Sequence, residues 1–333
     1  MKITAIIVLL IILIVSLSCE RILRGYKYNQ GSLPEIPINL TDFNTKYDDY
    51  NSTAPSLGEL IPFCFSTNRK SQGNDFDIIY MPMNVNFDKT SGILKVTNQY
   101  NNWGVYAEDY EVIRTGLNKI ETVGNEFGPN LITGHSIDKF NFTLLYSTDV
   151  TGNSQINFVS NRTDETFSEP KEVEFLNSEF EDMYPAFNSE KSRIYFCSNR
   201  NGKDFDFYYV DVNPEIDIEL LLSDNSSYQI LMDSSLSSSS DDKCPFIFEN
   251  KMVFASDRAG GFGGFDLYYS NLENGEWSEP INFGEKINTE FDEYRPILID
   301  EGVSWTQTMM VFSSNRIGGK GGFDLYFVGI ENE

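Results

Sequence analysis

Four arginines and four aspartates recur in step along this chain. Arg69, Arg200, Arg258 and Arg316 close the segments "STNR", "CSNR", "ASDR" and "SSNR", and Asp77, Asp206, Asp266 and Asp324 follow them in "FD" pairs. A guanidinium and a carboxylate at a repeated spacing can bind a ligand or hold each other. Repetition favours the second use, because an active site is a single asymmetric place. A related segment, "TLLYSTDVTGNSQINFVS" from 143, has Val150 in the arginine column and, in the most natural alignment, Ile156 in the aspartate column. Both charges vanish together, as expected of partners, since a lone buried charge costs far more than an apolar pair. The expectation is four Arg–Asp pairs, each within its own repeat.

A third column is acidic. Glu126, Asp182, Asp242 and Glu293 each stand three residues before a proline, and Asp49 matches if three residues are inserted before Pro55. Five carboxylates at equivalent places could ring a channel mouth and concentrate cations, calcium among them. The competing reading has them capping turns or pairing with neighbouring Arg and Lys.

The stretch "GGFGGFDLYY" (260–269) invites a ligand reading too, but a phosphate cradle leads into a helix, whereas "FDLYYS" alternates as a strand. The calcium nonapeptide G-G-x-G-x-D carries its acid at the sixth place; here that place is Phe265. These glycines are expected to supply left-handed conformations for a hairpin turn.

The elements that carry these residues repeat as well. Segments from 61, 143, 193, 252 and 310 each read as an apolar strand, a polar turn and a second strand with aromatic alternation, hence a β-hairpin. Between them recur "IETVGNEFGP", "LNSEFEDMYP", "LSSSSDDKCP" and "INTEFDEYRP". One unit contains about four strands in roughly 50 to 60 residues, the anatomy of a propeller blade. The turn positions 69, 150, 200, 258 and 316 predict five blades, with six as the alternative if residues 92–110 hide degenerate strands rather than an insertion on the first blade. The last hairpin lacks the strand that follows its predecessor, and "IPINLTDFNTKYDDY" (36–50) looks like that strand, so the N-terminal strand is expected to complete the last blade. The fold class is all-β.

The "SSNR…GGFDLY" hairpins resemble the TolB-type WD-like β-propeller repeat of bacterial envelope proteins. That resemblance implies a cell-envelope protein whose partners are envelope proteins or a peptidoglycan-associated complex.

Residues 1–18 read as a signal segment: Lys2, an apolar "AIIVLLIILIV", then "SLSC". It resembles a lipoprotein signal, which makes Cys19 the lipidated first residue of an outer-membrane lipoprotein held to the membrane by that anchor, periplasmic or surface-facing. Ser16 departs from the usual pattern and keeps a signal anchor or ordinary secretion open. Residues 19–34 are expected to be a flexible tether and 35–333 a single propeller. Cys64, Cys197 and Cys244 lack zinc or disulfide spacing and read as small buried hydrophobes. A net charge of −25 argues against nucleic-acid partners.

For chemistry, the only histidine, His135, has no nucleophile motif beside it. Sialidase boxes are absent from the sequence, although a glycosidase needs only two carboxyl groups and 50 acids are present. Trp277 in "GEWSEP" reads as packing at a blade rim, while Trp103 and Trp305 favour neither packing nor sugar stacking. The expectation is a non-catalytic interaction or scaffold module without a cofactor, with a glycan-binding or glycan-processing propeller as the alternative.

Overall fold

The computed structural model describes residues 25–55, 61–99, 104–136, 139–161, 167–299 and 304–331. The expected signal segment and Cys19 lie outside them, as does Trp103, and the His135 side chain is likewise not described.

Five antiparallel sheets form the blades of a β-propeller. Their inner strands are Asp49–Thr53, Glu126–Ser136, Asp182–Phe187, Asp242–Phe248 and Glu293–Ile299, in blades one to five. The next two strands of each blade are the hairpins read from the sequence, and their buried alternate residues pack blade on blade. The ring closes as expected: Ile38–Asn39 adds to the last strand of blade five, with Ile38 opposite Phe327.

Every inner strand carries a bulge two residues after its acid. The bulged residues are Asn51, Gly128, Tyr184, Cys244 and Arg295, all with φ between 50° and 61°. Strands bend at such places and re-aim a side chain. Here the four side chains are buried together in the central channel. Asn51 Nδ2 donates to the Tyr184 hydroxyl (3.4 Å), and the Arg295 guanidinium lies over the Tyr184 ring. Arg295 donates to the carbonyls of Pro129 and Pro245, so one side chain ties blades two, four and five. A Cβ at Gly128 would collide with the Tyr184 ring.

Two expectations about the insertion and the tether are corrected. Residues 92–110 are not only an insertion: Ile93–Thr97 is the outer strand of blade one, and helix α1 (Gly104–Ile120) follows. Ile113, Leu117 and Ile120 of α1 pack on blades one and two. The stretch expected to be a flexible tether is packed where it is described. Lys27 and Tyr28 donate to the Lys89 carbonyl, Leu33 is buried, and Gly31 bridges to Trp305, whose ring leaves no room for a Cβ there (2.5 Å). Trp305 is thus a packing residue, and Trp277 is also buried, its Nε1 donating to the Tyr195 hydroxyl at 2.8 Å. Cys64, Cys197 and Cys244 are buried free thiols.

Candidate functional site at the channel mouth

The arginines find a different partner from the one expected. Arg69, Arg200 and Arg258 meet Asp49, Asp182 and Asp242 at 2.5 Å, and Arg316 meets Glu293 at 3.0 Å. The two polar columns nearest in sequence, Arg and the "FD" aspartate, are not the two that pair. A hairpin turn separates them, while the inner strand lies alongside the strand that ends in the arginine.

Each guanidinium also donates to a connection carbonyl, of Phe43, Leu176, Leu236 or Ile287. Its Nε donates to the Thr67, Ser198, Ser256 or Ser314 hydroxyl, and in blades three to five it lies over a neighbouring pair of Phe and Tyr rings, each about 5 Å away. The same acids cap the turn four residues earlier, accepting from the amides of Thr45, Ser178, Ser238 and Thr289. All five acids are fully buried. They do not form a solvent-facing ring, and among the described residues no group of three or more His, Cys, Asp or Glu is placed to hold a metal ion.

The "FD" aspartates instead organise turns. Asp266 accepts from the amides of Phe262 and Gly263 and from Asn282; Asp324 accepts from Lys320, Gly321 and Asn39. Asp206 accepts from Asn201. This changes the meaning of the glycines. Only Gly260 of the four in "GGFGG" has a left-handed φ, 96°. Gly261 lies against Asp266, where a Cβ would come within 2.6 Å of Oδ2, and Gly263 and Gly264 lie against Phe291 O and Asp292 of the next blade. Three of the four are there for close approach.

Blade two departs from this scheme. Strand register places Gln155, not Ile156, opposite Thr148 and so in the aspartate column. Val150 takes the arginine position, and Asn157 stands opposite Tyr146 where Tyr208 stands opposite Phe196. The acid is nevertheless retained. Glu126 Oε1 accepts from Thr122 (2.6 Å) and Thr148 (3.3 Å), and Oε2 is buried without a partner. Burial, reinforced by the charge of Asp77, pushes its pKa up to about 7. Among the five inner-strand acids it is the one that meets no guanidinium among the described residues.

Glu126 opens the inner strand of blade two, at one end of the central channel. Its backbone amide donates to the carbonyl of Phe76, the residue before Asp77. Phe76, Phe127, Tyr50 and Phe323 form a half-buried aromatic cluster there, with ring centroids 4.9 to 5.9 Å apart. Phe265 and Tyr294 form a separate pair 5.1 Å apart, and Lys243 reaches over Phe205 and Phe265. Asp77 is also raised by burial, opposed by Lys70, whose Nζ is 4.0 Å away. The mouth therefore presents aromatic faces backed by two carboxyl groups at the seam of blades one and two. Sequence columns hid this seam because it joins residues from neighbouring blades. The one readable signal was an acid kept where its arginine is lost.

No family model matches the chain, and no curated protein matches it. Among solved structures, a thermostable family-43 glycoside hydrolase superposes with a TM-score of 0.53 at 10% identity, covering 89% of this chain and 94% of that one. The arabinofuranosidase of Podospora anserina gives 0.47 at 10% identity over 92% and 98%, and a putative TolB from Agrobacterium tumefaciens gives 0.38 at 14% over 85% and 79%. The chain is a five-bladed β-propeller. The expected resemblance to TolB-type repeats is corrected, because a family-43 glycoside hydrolase superposes on this propeller with a TM-score of 0.53. The fold therefore does not bear out the expected non-catalytic scaffold, since a propeller that superposes on it is a glycoside hydrolase.

Proposed function

We propose that this propeller processes glycans at the channel mouth, cleaving glycosidic bonds with carboxyl groups. The observation that carries the reading is the pair Glu126 and Asp77 behind the Phe76–Phe127 aromatic faces. Hydrolysis of a glycosidic bond needs one carboxyl that holds a proton near working pH and a second that works as a carboxylate. Glu126, with its pKa about 7, is the proton donor to the leaving oxygen. Asp77, beside Lys70, takes the proton of the attacking water. Burial raises both carboxyls, and Lys70 opposes the rise at Asp77 alone, which divides the two roles. Sugar rings would lie on Tyr50, Phe76 and Phe127, whose flat faces suit the apolar faces of pyranoses. Glu126 is fully buried and accepts from Thr122 of the turn 121–125, so this turn has to lift for the substrate to reach it.

The test is a panel of plant and bacterial polysaccharides and aryl glycosides, read as released reducing ends. At least one is cleaved by the protein, and Glu126→Gln lowers kcat by about 100-fold or more while the fold melts normally. Cleavage of none, or full activity in Glu126→Gln, removes the reading. The lipid anchor at Cys19 and the envelope location belong to the same proposal. A Cys19→Ala protein that still sediments with membranes would exclude that anchor.

A further inference from the structure

We infer that blade two carries a docking slot for a guanidinium group supplied by another molecule. The four sister blades show what such a slot consists of. A carboxylate oxygen accepts from the guanidinium at 2.5 to 3.0 Å, a hydroxyl accepts from Nε at 3.0 to 3.2 Å, and a connection carbonyl accepts at 2.6 to 2.8 Å. A ring lies over its face at 4.9 to 5.3 Å.

Blade two keeps the corresponding parts. Glu126 supplies the acid. Its Oε1 accepts from Thr122 and Thr148 as Glu293 Oε1 accepts from Thr289 and Ser314, without the third donor that Arg316 gives to Glu293. Thr148 supplies the hydroxyl, and the hairpin keeps its path, since the Val150 amide donates to Thr148 Oγ1 as the arginine amides donate to theirs. Ile120, six residues before Glu126 like Leu176 before Asp182, supplies the carbonyl at the end of helix α1. Tyr146 supplies the ring.

The difference is the cation. In the sister blades the arginine side chains are 14 to 22% exposed, so the slot lies just under the surface, and in blade two the residue over it is Val150, 44% exposed. Glu126 itself is fully buried with Oε2 unpartnered. A planar fork of donors matches this set of acceptors, whereas an ammonium has no second nitrogen for the carbonyl. The titratable groups that act on Glu126 or are acted on by it are Asp77 of blade one and Tyr146 of its own blade, and behind Asp77 stand Lys70 and Glu121, which pair with each other.

The inference does not depend on glycan cleavage. If cleavage occurs, an occupant that ionises Glu126 also stops it, but the decisive readout is thermal and needs no substrate. Melting is followed at pH 8 with methylguanidinium as a free ion, with N-acetylarginine methylamide as a side-chain mimic, and with ethylammonium or sodium at equal ionic strength. At ten times its dissociation constant the occupant raises Tm by about 2 °C. A rise with the first ligand alone identifies a small-ion slot, and a rise with the second identifies an arginine side-chain slot. Val150→Arg, which fills the slot from within, and Glu126→Gln, which removes the carboxylate, both lose the response. A response equal in the wild type and in either variant, or none beyond that of ethylammonium, overturns the inference.

Discussion

Blades two and four share a strand register, a capping hydroxyl and a buried inner-strand acid, yet they settle the charge of that acid in opposite ways. In blade four, Arg258 neutralises Asp242 and is itself held by Ser256, Leu236 O and two rings. In blade two the cation is gone and burial raises the pKa of Glu126 to about 7 instead. The acid column is therefore needed for more than ion pairing. It accepts from the connection in every blade, and that role survives the loss of the arginine.

The largest effect that separates the two blades comes from truncating the cations' places. Arg258→Ala leaves Asp242 buried and alone and should cost about 3 to 4 kcal/mol, or about 5 °C in Tm, whereas Val150→Ala should cost under about 0.5 kcal/mol. Equal losses in chemical denaturation would erase the distinction between the blades.

The next is a pH slope. Glu126 binds its proton more tightly folded than unfolded, so its contribution is full below about pH 4.5 and is lost as pH rises toward about 7. The loss is about 3 kcal/mol across that window. Glu126→Gln should flatten this part of the curve, and an unchanged slope would mean the carboxyl ionises freely.

Restoring the missing cation is the third. Val150→Arg should stabilise by about 2 kcal/mol at pH 8 and by almost nothing at pH 4, where Glu126 is neutral in either state. A gain that ignores pH would show that the arginine packs without pairing.

The smallest effect concerns the aspartate that sequence reasoning placed against arginine. Asp266→Asn keeps the shape but weakens acceptance from two turn amides, costing about 1 kcal/mol. A loss as large as that of Arg258→Ala would restore the Arg–Asp pairing within the hairpin.

Most of the architecture was legible because repetition is visible without coordinates. The hairpin columns and the missing last strand were enough for five blades and their closure. Pairing was not legible: Arg258 and Asp266 are eight positions apart, but a turn points them at different neighbours, and Asp242 arrives from an earlier strand. Ile156 falls in the aspartate column of the sequence, but the strand register shifts that column by one residue to Gln155. Helix α1 was not legible although Ile113, Leu117 and Ile120 recur at helical spacing, because it follows closely on the strand Ile93–Thr97 inside a single repeat interval. The site itself lay beyond any single repeat, since Glu126 and Phe76 meet across a seam.

The closing strand has a consequence in time. Ile38 is synthesised far ahead of Phe327, its partner, and at ordinary elongation rates the interval is on the order of tens of seconds. Throughout that interval blade one has no neighbour on one side, and Asp48 and Asp49 wait for the Phe323 backbone that will join them. The chain therefore cannot lock its ring vectorially as it emerges. Its final cooperative step belongs to the finished polypeptide, and any factor that holds the early blades apart has that long to act.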